Sequence, residues 1–246
     1  MRVNHPHIKR VGPIIDIFQR IEIRAPLRHL NVLEPYIGNA QTNTVHYTAL
    51  PCVCGLEGWE INPTAATQAK AIIPGAEVKH GDAYREVGRL GPHFDVIVID
   101  NNMVQVPFEH FSLFPDIFKG LKDQSFLVVS VCPNPASYLD SRQGLLERIF
   151  GINSKVYHYD WNRAREKFYG IEADEKTPDG DISATDMMPI YMEKALKAGF
   201  FTKYQTTITR SKWLKFLLLE LERTSDRNAK QEKARDAWAR KDAGLC

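Results

Sequence analysis

With 246 residues the chain is long enough for one large domain, or one domain with an appendage, on a soft prior of about 150 residues per domain. A hydrophobic fraction of 43% and a charged fraction of 25% match a packed globular protein and exclude disorder over most of its length. The formal net charge of +2 is too slight a basic bias to argue for a nucleic-acid partner, no apolar run approaches the roughly 18 residues a membrane helix needs, and the opening MRVNHPHIKR lacks the apolar core of a signal peptide. These features lead to the expectation of a cytoplasmic protein with no membrane partner.

Residues 1–27 are expected to form an N-terminal helical segment. From Arg28 the sequence repeats one arrangement, a short apolar run ending in an acid or Gly and then a polar segment of helical character. The runs are LNVLE, PCVCGLEGWE, AEVKHGDA, FDVIVIDNN and SFLVVSV, whose near-continuous apolarity suits parallel strands covered on both faces. Between them PTAATQAKAI and FEHFSLFPDIFKGL read as covering helices. The cheapest topology for such alternation is an α/β doubly wound sheet with right-handed crossovers. The pair Cys52 and Cys54 is separated by one residue, not the two to four of zinc sites, and on a strand both thiols share a face. Buried reduced cysteine is the expected state.

After Cys132 the pattern breaks. Residues 133–188 read as an insertion, with a surface loop near Pro178 to Asp181. Then MPIYMEKALKAGF supplies a helix ending at Gly199, and FTKYQTTITR and WLKFLLLELER flank a two-residue SK connection, which predicts an antiparallel hairpin. The main domain is thus expected over 28–223, with a charged tail over 224–246 that forms a solvated or frayed helix.

The chemistry is carried by acids. Glu34, Glu60, Asp82 and Asp100 each close a predicted strand, and ligands of open α/β sheets sit beyond the carboxyl ends of the strands, at the point where strand order reverses. Any one of them could be a helix cap; together in register they line one crevice. A ligand with a ribose diol, an adenine amine and an ammonium presents donors, which ionised carboxylates accept. A phosphate-rich ligand would instead require a glycine-rich loop with Lys or an acid-free helix N-terminus.

The order of these signals resembles the class I S-adenosylmethionine-dependent methyltransferases over about 28–223. The resemblance implies a Rossmann-like, mainly parallel sheet with a C-terminal antiparallel hairpin, S-adenosylmethionine as cofactor, and methyl transfer to a small-molecule acceptor. VLEPYIGNA resembles the family's first motif, whose loop wraps the methionine part of the cofactor, so Glu34, Tyr36, Gly38 and Asn39 inherit that contact. GWEINPTAATQA resembles the second, giving Glu60 the ribose hydroxyls and Ile61 the adenine. HGDA resembles the third, giving Asp82 the adenine amine and Ala83 a backbone contact to the ring. FDVIVIDNN resembles the fourth and places Asp100 and Asn101 where methyl donor and acceptor meet. KAGFF followed by a hairpin resembles the family's closing helix and last strand.

The first motif departs from the family: Gly38 is its lone glycine, and Tyr36 and Ala40 stand where the family has little side chain. Tyr36 either packs into the core or stacks near the sulfonium, a contact of about 0.5 to 2 kcal/mol. The Asn/Asp-Pro-Pro-aromatic signature of nucleic-acid amino methyltransferases is missing, and so are the second Asp-Asn of the metal-dependent catechol type, which leaves no metal site expected, and the second acid of aminopropyltransferases. Asp100 is the expected general base, ahead of His110 and His158; His110 and His80 also read as packed or strand side chains. The aromatic and basic VYHYDWNRAREKFYG either lines the acceptor pocket or seats the insertion. Two rival readings stand beside the enzyme: a methyltransferase-like binding module without turnover, and a nicotinamide-dependent oxidoreductase, which would need the G-x-G-x-x-G fingerprint.

Overall fold

A computed structural model describes residues 12–100, 110–133, 166–170 and 182–225. Asn101, His158, Cys246, the loop near Pro178, most of the predicted insertion and nearly all of the predicted tail lie outside the described residues.

In chain order the main elements are α1 (Gly12–Arg24), β1 (Leu30–Glu34), α2 (Thr44–Tyr47), β2 (Val53–Glu60), α3 (Pro63–Ile72), β3 (Glu77–His80), α4 (Ala83–Glu86), β4 (Phe94–Ile99), β5 (Leu121–Val131), α5 (Ala184–Lys197), β6 (Phe200–Thr209) and β7 (Lys215–Arg223). The strands form a 7-stranded sheet in the order β3-β2-β1-β4-β5-β7-β6. The pairs from β3 through β5 are parallel, whereas β7 is antiparallel to both β5 and β6. This is the expected doubly wound sheet with an antiparallel end.

Alternation along the central strands makes two apolar layers. Val32, Val96, Val98, Phe126, Val128 and Leu218 join Ile14, Ile17, Phe18 and Ile21 of α1 and Ala66 and Ala69 of α3 on one face. Leu33, Ile97, Ile99, Leu127, Val129 and Leu219 join Met187, Met188, Tyr191 and Ala195 of α5 on the other. Since successive strand side chains point to opposite faces, each strand contributes to both layers. Helix α1, expected as a separate segment, shares this core: the side chains it buries at positions 14, 17, 18 and 21 have helical spacing.

Local chemistry fixes the helix starts. Asn62 caps α3, its Oδ1 accepting from the N–H groups of Thr64 and Ala65 at 2.9 and 3.2 Å, with Pro63 at the first position. Ser183 caps α5 by accepting from Asp186 N at 3.1 Å while its hydroxyl donates to the Asp186 carboxylate at 2.7 Å. The helix therefore begins four residues before the expected Met188, and Pro189 is accommodated within its early turns.

Four further expectations are corrected. From His110 on, where it is described, the predicted helix over FEHFSLFPDIFKGL is two 3₁₀ segments, His110–Leu113 and Asp116–Gly120, because Pro115 lacks an N–H and restrains Phe114 before it. Strand β5 begins at Leu121, which had been assigned to that helix. The hairpin connection runs from Arg210 to Leu214, with the N–H groups of Arg210 and Ser211 both donating to the Leu214 carbonyl, so it is longer than Ser211-Lys212. Cys54 is exposed and Cys52 half-buried, and Cys52 precedes the start of β2 at Val53, so the two thiols are not same-face positions of one strand.

Phe18 links α1 to the site. Its ring stacks on Tyr47 of α2 with centroids 4.6 Å apart, and both are fully buried. Phe18→Ala is expected to cost about 3–5 kcal/mol through lost burial and a cavity, measured as a shift in urea-denaturation midpoint.

Candidate active site at the carboxyl edge of the sheet

The strand order reverses at β1 and β4, which are neighbours in the sheet, so the chain beyond Glu34 and the chain beyond Ile99 part there. The loop leaving β1 folds back toward β2: Ile37 N–H donates to the Trp59 carbonyl at 3.2 Å. A Cβ on Gly58 would lie 2.4 Å from Ile37 Cδ1, so this approach requires glycine at 58. Gly38 and Ala40 both take left-handed backbone conformations, with φ of 56° and 61°. A Cβ at Gly38 would meet no atom of the described residues within 4 Å, so the space beside it is open. Gly58→Ala is expected to destabilise the protein by about 1–3 kcal/mol by pushing the buried Ile37 out of place, read from thermal unfolding.

The expected acids divide into two pairs. Glu60 and Asp82 follow adjacent parallel strands in register, Glu60 opposite His80. Their loops are joined by Gly81 N–H donating to the Glu60 carbonyl and His80 Nε2–H to the Ile61 carbonyl, both at 3.0 Å. Glu60 Oε1 accepts from Asn62 N–H at 2.7 Å, while its Oε2 has no partner among the described residues. Asp82 caps α4 by accepting from Tyr84 N–H at 3.0 Å, and Ala83 is the buried first residue of that helix. Between them Ile61 leaves 64% of its surface exposed, an uncovered apolar face beside two carboxylates.

Glu34 and Asp100 form the second pair, at the reversal point. Glu34 is buried and accepts a hydrogen bond from the Tyr47 hydroxyl. Burial, and after it the negative charge of Asp100, push its carboxyl up to about 8, against the smaller opposing effects of Tyr47, Thr44 and Arg210. Glu34 is therefore largely protonated at neutral pH. Asp100 Oδ2 accepts from Asn43 Nδ2 at 2.6 Å and Oδ1 accepts from Arg210 Nη1, which also donates to Ser130 Oγ at 2.9 Å. The expected general base thus has both oxygens engaged.

Tyr36 is half-buried and packs against the α5-side core. Asn39 Oδ1 accepts from Gln41 N–H at 3.3 Å and tightens the turn after Gly38. His110 is buried, 2.6 Å through Nε2 from the Tyr191 hydroxyl among Phe111, Phe114 and Phe168, and burial lowers it to about 3. It is a neutral core side chain, and His80 is an exposed one on β3. Among the described residues no group of three or more His, Cys, Asp or Glu is placed to hold a metal ion, and no helix is long and apolar enough to cross a membrane.

Sequence reasoning missed Arg210, Asn43, Tyr47 and Ser130. Arg210 closes the predicted strand FTKYQTTITR, and in an α/β sheet that position was signal enough to consider it.

No protein-family model and no curated protein matches the chain. Solved structures do align with it. Magnesium protoporphyrin IX methyltransferase from Synechocystis, with S-adenosylhomocysteine bound, matches at TM-score 0.50 and 14% identity, over 84% of this chain and 81% of its own. Trm1 from Pyrococcus horikoshii, in complex with S-adenosylmethionine, matches at 0.53 and 9% over 88% of this chain and 55% of its own. A structure from echinomycin biosynthesis, where a disulfide bond is converted into a thioacetal group, matches at 0.52 and 15% over 93% and 91%. The chain spans 65% of a possible exported protein from Bordetella parapertussis, aligned at TM-score 0.49 and 15% identity over 82% of this chain, and little more than half of Trm1. The fold is that of the class I methyltransferases. At its carboxyl edge the Oε2 of Glu60, without a partner among the described residues, the exposed Ile61 face and the open space at Gly38 offer acceptor and apolar surface of the kinds that S-adenosylmethionine requires.

The raised carboxyl of Glu34 has a consequence for stability. The folded form holds a proton that the unfolded chain has lost above about pH 4.5, so stability falls as pH rises toward and through 8. Buried His110 gives the opposite trend below about 6.5, since the unfolded chain takes up a proton there that the folded chain refuses. Between pH 6.5 and 8 the wild type is expected to lose about 1.5 kcal/mol more than Glu34→Gln, measured by urea titration at both pH values; parallel losses would contradict a protonated Glu34.

Proposed function

We propose that the chain is an S-adenosylmethionine-dependent methyltransferase acting on a small-molecule acceptor in the cytoplasm. The observation that carries this reading is the pairing of Glu60 and Asp82 at adjacent strand ends, stitched together and flanking the exposed Ile61.

In this reading Glu60 accepts from the ribose hydroxyls, Ile61 covers one adenine face, and Asp82 with the backbone at Ala83 receives the adenine edge. The loop of Tyr36, Gly38 and Asn39 encloses the methionine part, with Glu34 near its ammonium. A cation brought to Glu34 favours the ionised carboxylate, so binding and release of that proton are linked. When bound, S-adenosylmethionine supplies a methyl group on a sulfonium, and that reactivity belongs mostly to the cofactor. The protein's part is alignment of the acceptor, which in favourable cases lowers a barrier by several kcal/mol. In this reading Asp100 lies where donor and acceptor meet and serves there by holding Asn43 and Arg210 in place; Asn101, expected beside it, lies outside the described residues.

The engagement of both Asp100 oxygens favours a second reading, a binding module that keeps the cofactor without turnover. S-adenosylhomocysteine is expected to raise the melting temperature and NAD to leave it unchanged; the reverse would overturn the methyltransferase reading. In titration calorimetry Glu60→Ala is expected to weaken S-adenosylhomocysteine about tenfold or more, the loss of about 1.4 kcal/mol or more for hydrogen bonds to a charged group. Cofactor binding with no methylated product from a broad acceptor screen would favour the module.

A further inference from the structure

We propose that Arg210 is an anion anchor for the methyl acceptor, which therefore carries a carboxylate. The inference rests on the methyltransferase reading and deepens it by naming the substrate class.

Strand β6 is antiparallel to β7, and β7 to β5, so β6 ends at the same edge as the parallel strands. Arg210 is the first residue beyond that end. Its Nη1 is committed to Asp100 and Ser130, and its guanidinium carbon lies 5.1 Å from the centre of the buried Phe216 ring. Among the described residues Nε and Nη2 have no partner. The side chain nevertheless keeps only 20% of its exposure. A guanidinium held this firmly, with donors left over, presents an oriented fork, the arrangement that receives both oxygens of a carboxylate.

Its place in the strand order assigns the anion to the acceptor. Glu60 and Asp82, the adenosyl side of the crevice, follow β2 and β3. Arg210 contacts residues that follow β4 and end β5, across the reversal point from them. Asp100 sets the charge that is tolerated: one guanidinium shared with a carboxylate accommodates a monoanion better than a phosphate dianion.

The test uses the full chain. Saturable binding of S-adenosylhomocysteine is established first, and its absence would remove the methyltransferase reading itself. The loaded protein is then titrated with benzoate and with its uncharged isostere benzamide, following the Arg210 Nε–H resonance. Benzoate is expected to shift that resonance saturably and to bind about tenfold or more tighter than benzamide, as charge-assisted bidentate pairing requires. Arg210→Lys keeps the charge beside Asp100 but loses the planar fork; it should weaken benzoate about tenfold while S-adenosylhomocysteine stays within about threefold of wild type. Equal binding of the two probes, no saturable shift with benzoate, or unchanged benzoate affinity in the variant would overturn the proposal. So would a parallel collapse of S-adenosylhomocysteine affinity, which would give Arg210 to the cofactor.

Discussion

The site depends on the reversal of strand order between β1 and β4. Chain leaving β1 and β2 packs on the α1 face through α2 and α3, whereas chain leaving β3 and β4 packs on the α5 face through α4 and the 3₁₀ segments. Two neighbouring strands thus send their continuations to opposite sides, and backbone cannot close the gap between them. Glu34 and Asp100 face that gap because each is the residue at which its strand gives way to loop. The Tyr47 bond to Glu34 and the stack of Phe18 on Tyr47 carry the same constraint outward to the first helix.

The two edges of the sheet treat buried acids differently. At the amino edge Asp95 is 2% exposed, accepts from Asn31 N–H at 3.0 Å and Lys122 Nζ at 2.7 Å, and has Arg28 Nε at 3.3 Å. Two cations and an amide there compensate one carboxylate, as a buried charge requires. At the carboxyl edge Glu34 is equally buried, but its side-chain partners are the neutral hydroxyls of Tyr47 and Thr44, and the strongest influence on it after burial is another carboxylate. The first arrangement holds the sheet together. The second keeps a carboxyl whose proton affinity is raised by burial and a neighbouring acid, a perturbation that clusters at functional sites.

The sheet was legible in the sequence because β1, β4 and β5 are nearly continuous apolar runs, and because an acid falls at or just after the ends of β1 to β4. The positions of Glu34, Glu60, Asp82 and Asp100 followed directly. What failed to show was anything set by partners far along the chain. Nothing near Asp100 announces Arg210, 110 positions away, and nothing near Glu34 announces that Tyr47 would turn back to meet it. Glu34 could not be seen as protonated, since charge state follows from burial. The start of α5 was readable, since Ser183-Ala-Thr-Asp186 has the spacing of a capping box ahead of the apolar run. The 3₁₀ segments flanking Pro115 show the reverse case, helical periodicity overruled by one imino acid.

The alternation of Val96, Ile97, Val98 and Ile99 between the two apolar layers bears on how the molecule comes apart. A helix peeled from one face would wet side chains whose immediate neighbours in sequence anchor the other. Neither layer forms an autonomous folding unit, so melting of the described body should proceed as one concerted transition, with the amides of β1, β4 and β5 the last to exchange with solvent.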